Sequence, residues 1–330
     1  MKLGIAIPCN DISKYKTFID NWKGLGNTSH DITIYLTHDA HNRIPKDQCV
    51  TPPENVKQKI YHHPFIKSEL GDDSWIIPHG SSACRSWSIY QAWNDGCEII
   101  ICMDDDVLPI GSAKYFIDTH VKNLTSRDNA CFFNPLGFDE DTYPRGTPHS
   151  CRRQGDPIKM SVGLWEGCLD ISAVDRLLNK NIPEVIHDAT FRIPFGNLFP
   201  MCGMNVAFHR DLAPYMYFGL QGRDWPYDRM DDIWAGYLAK QVCDILGWGI
   251  VIGNPHVYHL SNPDPIKDLM KEYPGDIVND LYARNISNHV MCFDTLAEDL
   301  EKAIEDTFPL EYYLDLKHAY DIWFSLYDGK

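Results

Sequence analysis

The chain is expected to be an α/β protein built on a mainly parallel sheet, and three observations predict it. Short apolar, β-branched runs alternate with stretches whose apolar residues recur at helical spacing. The helical stretches have the length of strand-to-strand crossovers. One run, Glu98 to Met103, leads directly into Asp104-Asp105-Asp106. Three carboxylates thus follow a strand at its carboxyl end, the edge where ligands bind in such sheets.

Leu3 to Ile7 reads as the first strand, stopped by Pro8. Lys14 to Trp22 carries a helical pattern that ends at the Gly24/Gly26 break. Ile32 to Leu36 is a second strand running into Thr37-His38-Asp39. Ser82 to Trp93 is a helix, turned by Asn94-Asp95-Gly96 into the strand before the carboxylates. Ala113 to Leu124 is a further helix. From Phe132 to about Pro200 the pattern is irregular and rich in Pro, Gly and Arg, as expected of active-site loops. Met230 to Leu246 is a helix with Asp231 and Asp232 in its first turn, where they also suit the helix dipole. Gly249 to Ile252 is a strand, and Pro255 to His259 runs to the sheet edge. Beyond Asp276 the chain turns polar and helical, over Thr295 to Asp306 and Leu310 to Leu326. The expected division is a catalytic body over 1–275 and a helical extension over 276–330, a cap or an oligomer contact.

The 330 residues are 44% hydrophobic and 12% aromatic, enough for a substantial core. A formal charge of −16 argues against a protein whose main task is gripping nucleic acid. A phosphorylated ligand stays compatible, because a divalent ion inverts the local electrostatics. Eleven cysteines with no Cys-x-x-Cys pair read as reduced thiols in a cytoplasmic protein. No segment has the length and apolarity of a signal peptide or a membrane span.

Like charges packed at Asp104, Asp105 and Asp106 raise one another's pKa unless a cation neutralises them. Hard oxygen donors at a strand tip suit Mg²⁺ or Mn²⁺ holding a diphosphate; the bland alternative is a solvated acidic turn. No Gly-x-Gly-x-x-Gly or Walker-type loop competes for a nucleotide.

The segment Asn197-Leu198-Phe199-Pro200-Met201-Cys202-Gly203-Met204-Asn205-Val206-Ala207-Phe208 resembles the most distinctive motif of the reversibly glycosylated polypeptides, glycosyltransferase family 75. The likeness continues in Met216 to Leu220, Asp231-Asp232-Ile233-Trp234-Ala235-Gly236, Ser82-Ala83-Cys84-Arg85, the Asp104 triplet, Arg145-Gly146, Gly163-Leu164-Trp165 and Ser261-Asn262-Pro263. It spans roughly residues 1 to 270, with its motifs in the family's order. The resemblance implies a GT-A-type fold, a UDP-sugar donor, Mn²⁺ or Mg²⁺, and interconversion of UDP-arabinopyranose and UDP-arabinofuranose through a protein-bound sugar.

In that family an arginine after Pro-x-Ser-x carries the sugar. Pro148-His149-Ser150-Cys151-Arg152 puts Arg152 there, with Arg153 standing where the plant pattern has an acid. A guanidinium is always protonated and a poor nucleophile. Asp231 or Asp232 would have to orient or deprotonate it. The plainer alternative is that Arg152 and Arg153 neutralise diphosphate. Pro8, Asp39, Arg85, Asp104, Asp105, Gly203 and Asn205 are expected around the nucleotide, and Asp104, Asp106 and His259 around the metal. Asp39 has a turn-capping alternative and His259 a structural one. Trp165, Trp225 and Trp234 are candidates for stacking on sugar or uracil, against ordinary core roles. Two other functions stay open. One is a transferase passing arabinose or another sugar to a glycan or modified nucleic-acid base. The other is a non-catalytic subunit of an assembly.

Overall fold

The computed structural model describes residues 1–39, 50–128, 142–149, 155–178, 189–289 and 292–328. The fold is a mixed α/β sheet, mostly parallel and flanked by helices. β1 (Lys2–Cys9), β2 (Asp31–His38), β3 (Lys57–His62) and β4 (Ile99–Met103) run parallel, in the order β3-β2-β1-β4. Between them lie α1 (Ile12–Asn21), α2 (His63–Leu70) and α3 (Arg85–Asn94), as the expected alternation requires. Next come β5 (Val107–Pro109), α4 (Ala113–Thr125), the two-residue β6 (Arg127–Asp128), β7 (Asp156–Gly167), α5 (Ala173–Leu177), the two-residue β8 (Phe191–Arg192) and β9 (Asn205–His209). The chain closes with α6 (Asp231–Leu246), β10 (Gly249–His259), α7 (Pro265–His289), α8 (Leu296–Glu305) and α9 (Leu310–Ser325).

β9 enters antiparallel between β4 and β7, and β10 runs parallel to β7. The start of β9 therefore shares one edge of the sheet with the ends of β1, β2, β4, β7 and β10. That edge collects Cys9, Asp39, Asp104, Gly203 and His259, which are far apart in sequence.

Residues of β1, β2 and β4 alternate between two buried layers. Leu3, Ile5, Ile7, Ile99 and Ile101 face one side with α1 and α4 residues such as Phe18 and Phe116. Ala6, Tyr35, Ile100 and Cys102 face the other with Trp87, Leu238 and Trp323. The far layer is completed by α9: the Tyr217 and Trp323 rings stack at 5.0 Å, and Tyr312 Oη donates to the Leu220 carbonyl at 2.7 Å.

Three sequence expectations need correction. The region from Phe132 to Pro200 is not only loops: it holds β7, a twelve-residue strand inside the sheet. Pro157, Lys159 and Gly163 interrupt its apolar run and hid it. Gly163 is needed there, because a Cβ would stand 2.1 Å from both Asn205 Nδ2 and the Pro255 carbonyl. The stretches at 249–252 and 255–259 form one strand, with a register shift between Gly253 and Val257. Lys57 to Leu70, left without structure, forms β3 and α2. β3 is a half-exposed edge strand with no apolar run to announce it.

Candidate active site

A cleft of about 890 Å³ opens at the carboxyl edge, lined by Pro8 to Asp11, Lys14, Asp39, Gly80 to Ser82, Cys84, Asp104 to Asp106, Arg223 and Arg229. A recess of about 600 Å³ adjoins it and shares Ser82, Asp104, Asp106 and Arg229. The recess adds Arg85, Asp170, Cys202, Asp231, Asp232 and His259, and the inner face of α7 through Asp268, Glu272 and Asp276.

Arg85 is the hub, fully buried at the start of α3. Nη2 donates to Asp104 Oδ1 at 2.6 Å, Nη1 to the Gly203 carbonyl at 2.6 Å, and Nε to the Ser82 carbonyl at 3.2 Å. Burial alone would lower the pKa of Arg85, but Asp104 beside it reverses the sign, so the charge is held. Asp104 is thereby committed to the arginine through one oxygen.

Its neighbours are strained electrostatically. Burial and the charge of Asp104 push Asp105 up to about 7, and the same two causes raise Asp106. His259 faces Asp106 with Nε2 3.7 Å from Oδ1, and its Nδ1 lies 2.8 Å from the Cys168 carbonyl. A carbonyl can only accept, so Nδ1 carries the proton and Nε2 presents its lone pair. Crowded carboxylates beside an imidazole in the ligating tautomer fit a divalent cation. Asp106 and His259 stand adjacent as expected, while Asp104 would contribute only the oxygen that Arg85 leaves. Among the described residues, two groups have all their ligand atoms within 4.8 Å of one another: Asp39, His63 and His79, and Asp170, Cys202 and Asp232.

Asp231 and Asp232 begin α6 and point into the recess. Ser82 Oγ donates to Asp231 Oδ2 at 2.5 Å, and the Gly203 amide donates to Asp232 Oδ2 at 2.8 Å. Burial, then Asp231, drives Asp232 well above the ordinary carboxylate range. Burial also raises Asp231, with Arg85 and Ser82 pulling it back. A carboxylate poised near its protonated form can exchange a proton with a bound group, which a helix-dipole role does not require.

The other expected residues divide. Pro8 and Asp39 line the cleft. Asp39 accepts from the Gly80 amide at 2.6 Å and lies 3.0 Å from His63 Nε2. Gly203 lies under Arg85, where no side chain fits. Asn205 needs correction: its side chain is fully buried, donating to the Leu164 and Pro255 carbonyls and bonded through Oδ1 to His120, so it locks β7, β9 and β10 together. Trp225 and Trp234 pack in the aromatic core with Tyr312 and Phe308, and Trp165 packs against the opposite core layer. Arg152 and Arg153 lie outside the described residues. Sequence reasoning missed Lys14 and Arg229. Arg229 adopts φ 64°, strained for a side chain, and bonds Glu272 at 3.2 Å. Its place two residues before the Asp231-Asp232 pair was the available signal.

The family described as reversibly glycosylated polypeptide matches residues 3–303. The chain belongs to that family. Relatives of this family member include UDP-arabinopyranose mutase 1 of Arabidopsis thaliana, 33% identical over 85% of this chain and 82% of that protein. UDP-arabinopyranose mutase 3 of the same plant is 38% identical over 78% of this chain and 71% of its own. UDP-arabinopyranose mutase 1 of Oryza sativa subsp. japonica is 33% identical over 85% and 80%. Among solved structures, one titled "Crystal Structure of a Mycobacterial Protein" overlays at TM-score 0.44 and 13% identity, over 91% of this chain and 74% of that one. No helix among the described residues is long and apolar enough to cross a membrane.

Proposed function

We propose that the protein is a UDP-arabinopyranose mutase on a GT-A-type fold, interconverting UDP-arabinopyranose and UDP-arabinofuranose. One observation carries this reading: in a chain whose relatives bear that name, residues of the motifs at Ser82, Asp104, Cys202, Asp231 and Ser261 line one cleft and its adjoining recess. UDP lies along the cleft, with Pro8 and Asp39 toward the nucleoside, and Lys14, Arg223 and Arg229 are the cations at hand for the diphosphate. Asp106 and His259, with the free oxygen of Asp104, would hold Mn²⁺ or Mg²⁺, which when bound neutralises the diphosphate and makes it a better leaving group.

The sugar occupies the recess beside Asp231 and Asp232. The bond from C1 to the diphosphate oxygen breaks as a bond from C1 to a guanidinium nitrogen of Arg152 forms, and the arginine proton passes to Asp231 or Asp232. UDP departs with the bonding pair. The lone pair of the arginine nitrogen then expels the ring oxygen from C1; the oxygen takes up a proton as a C1=N iminium forms. A different hydroxyl adds to C1, gives up its proton and returns the pair to nitrogen. Returning UDP attacks C1, and the carboxylic acid restores the proton to the arginine. Arg85 takes no proton; it fixes Asp104, the Gly203 loop and the Ser82 loop in one arrangement. Free and mostly buried cysteines support a reducing, cytoplasmic setting.

The test is incubation of the protein with UDP-arabinopyranose and Mn²⁺, followed by separation of the two ring forms. UDP-arabinofuranose is expected, together with UDP-reversible covalent labelling lost in Arg152→Ala. Transfer of arabinose to an added acceptor, with no furanose formed, would replace the mutase by a transferase.

A further inference from the structure

We propose that Asp39, His63 and His79 form a second cation site, nitrogen-rich and selective for a Zn²⁺-class transition metal. It is separate from the oxygen-rich cluster after β4 and is not part of the sugar chemistry above.

The three residues come from the end of β2, the first residue of α2 and the loop before α3. Asp39 Oδ1 lies 3.0 Å from His63 Nε2 and 3.7 Å from His79 Nδ1, and the three ligand atoms lie within 4.8 Å of one another. A tetrahedral Zn²⁺ with bonds of about 2.0–2.1 Å sets its donors about 3.4 Å apart. The observed separations straddle that value. Asp39 is already oriented, because its second oxygen accepts the Gly80 amide at 2.6 Å. This is the outer-shell support that metal-ligating carboxylates ordinarily have. Asp39 and His63 are almost wholly shielded, with side-chain exposures of 7% and 8%.

The His63 and His79 rings lie face to face with centroids 3.3 Å apart. The two imidazoles are borderline donors, and with only one hard carboxylate beside them the set favours Zn²⁺ over Mn²⁺ and Mg²⁺. Asp105 and Asp106 offer hard oxygen instead. The donor sets thus sort two classes of ion within one cleft wall. With three protein ligands, the fourth position is left to water or another small donor. A bound ion would clip β2, α2 and the loop before α3 together.

The probe is Zn²⁺ itself, given to metal-stripped full-length protein in excess Mg²⁺ and without any sugar nucleotide. The wild type should retain about one Zn²⁺ per chain after gel filtration and melt at a higher temperature with the ion present. His63→Asn and His79→Asn should each weaken Zn²⁺ binding by at least about 10-fold, while Asp106→Asn should not. Co²⁺ should give the visible absorption of a tetrahedral site in the wild type and in Asp106→Asn, and lose it in both histidine variants. Equal Zn²⁺ retention in wild type and histidine variants overturns the proposal. So does retention lost in Asp106→Asn but kept in both histidine variants. Because no turnover is measured, failure of the mutase assay leaves this test intact.

Discussion

Gly203 has no room for a side chain. A Cβ there would stand 2.9 Å from Arg85 Nη1 and 3.3 Å from Asp232 Cβ. Arg85 cannot retreat, since its other nitrogens are held by Asp104 and Ser82. Gly203→Ala should therefore shift the guanidinium and Asp232 together, and sub-ångström misplacement of this kind costs on the order of 10²-fold in rate. Steady-state kinetics with a melting curve check it; wild-type turnover in a folded Gly203→Ala would show that the arrangement is not needed. Asp232→Asn separates charge from shape. The amide oxygen can still accept from the Gly203 N–H, and removing a buried charge spares its desolvation. Stability should hold or rise while turnover falls about 10²-fold or more, as loss of a proton-exchanging group entails. The Asp104 triplet was legible because three consecutive carboxylates at the end of a buried strand are unusual, whereas the Asp231 pair, ordinary for a helix start, was singled out by the family resemblance. His63, His79, Lys14 and Arg229 were not legible, since a single His, Lys or Arg carries no spacing that separates site from surface.

At the scale of elements, the strands that could be read were those buried on both sides. β1, β2 and β4 are continuous apolar runs because neighbours cover both faces. β7 does not announce itself in that way, and where it and β9 meet α4 a polar network adds to the apolar contacts of Phe116, Ile117, Ile158 and Ala207. His120 lies 2.9 Å from Ser161 Oγ through Nδ1 and 2.9 Å from Asn205 Oδ1 through Nε2, with its side chain fully buried. Burial lowers its pKa to about 4, below an ordinary value near 6.5. The unfolded chain therefore takes up a proton as pH falls through 6.5, and the folded chain does so only near 4. His120 leaves stability undiminished above 6.5. It subtracts progressively as pH drops from 6.5 to 4, and the loss stays constant below that. The displacement is worth about 3 kcal/mol at its limit. Urea denaturation between pH 7 and 4 should show a shallower decline in His120→Gln than in wild type. Parallel declines would mean that His120 titrates in the folded protein as it does in the unfolded chain.

At the scale of the molecule, the sequence suggested a body ending at 275 and a helical extension beyond it, and α7 runs from Pro265 to His289 across that point. The inner face of α7 lines the recess through Asp268, Glu272 and Asp276. Further on, α9 supplies Tyr312, Leu316, Tyr320 and Trp323 to the same core layer as Tyr217 and Trp234. Trp323 is fully buried, stacks on Tyr217 and donates from Nε1 to the Pro214 carbonyl at 2.7 Å. Much of what α9 buries is tyrosine, whose hydroxyl needs a partner that only the folded chain reveals. A shared core predicts shared unfolding. Trp323→Ala should cost about 3–5 kcal/mol, as removal of a buried indole does, and the loss should register equally at the sheet and at the tail. Urea titrations followed by far-ultraviolet dichroism and by tryptophan fluorescence should give coincident transitions for wild type and variant alike. A chain cut after residue 275 should then lack a cooperative transition. Two separated transitions in the wild type, with the earlier one alone sensitive to Trp323→Ala, would make the tail an independent unit.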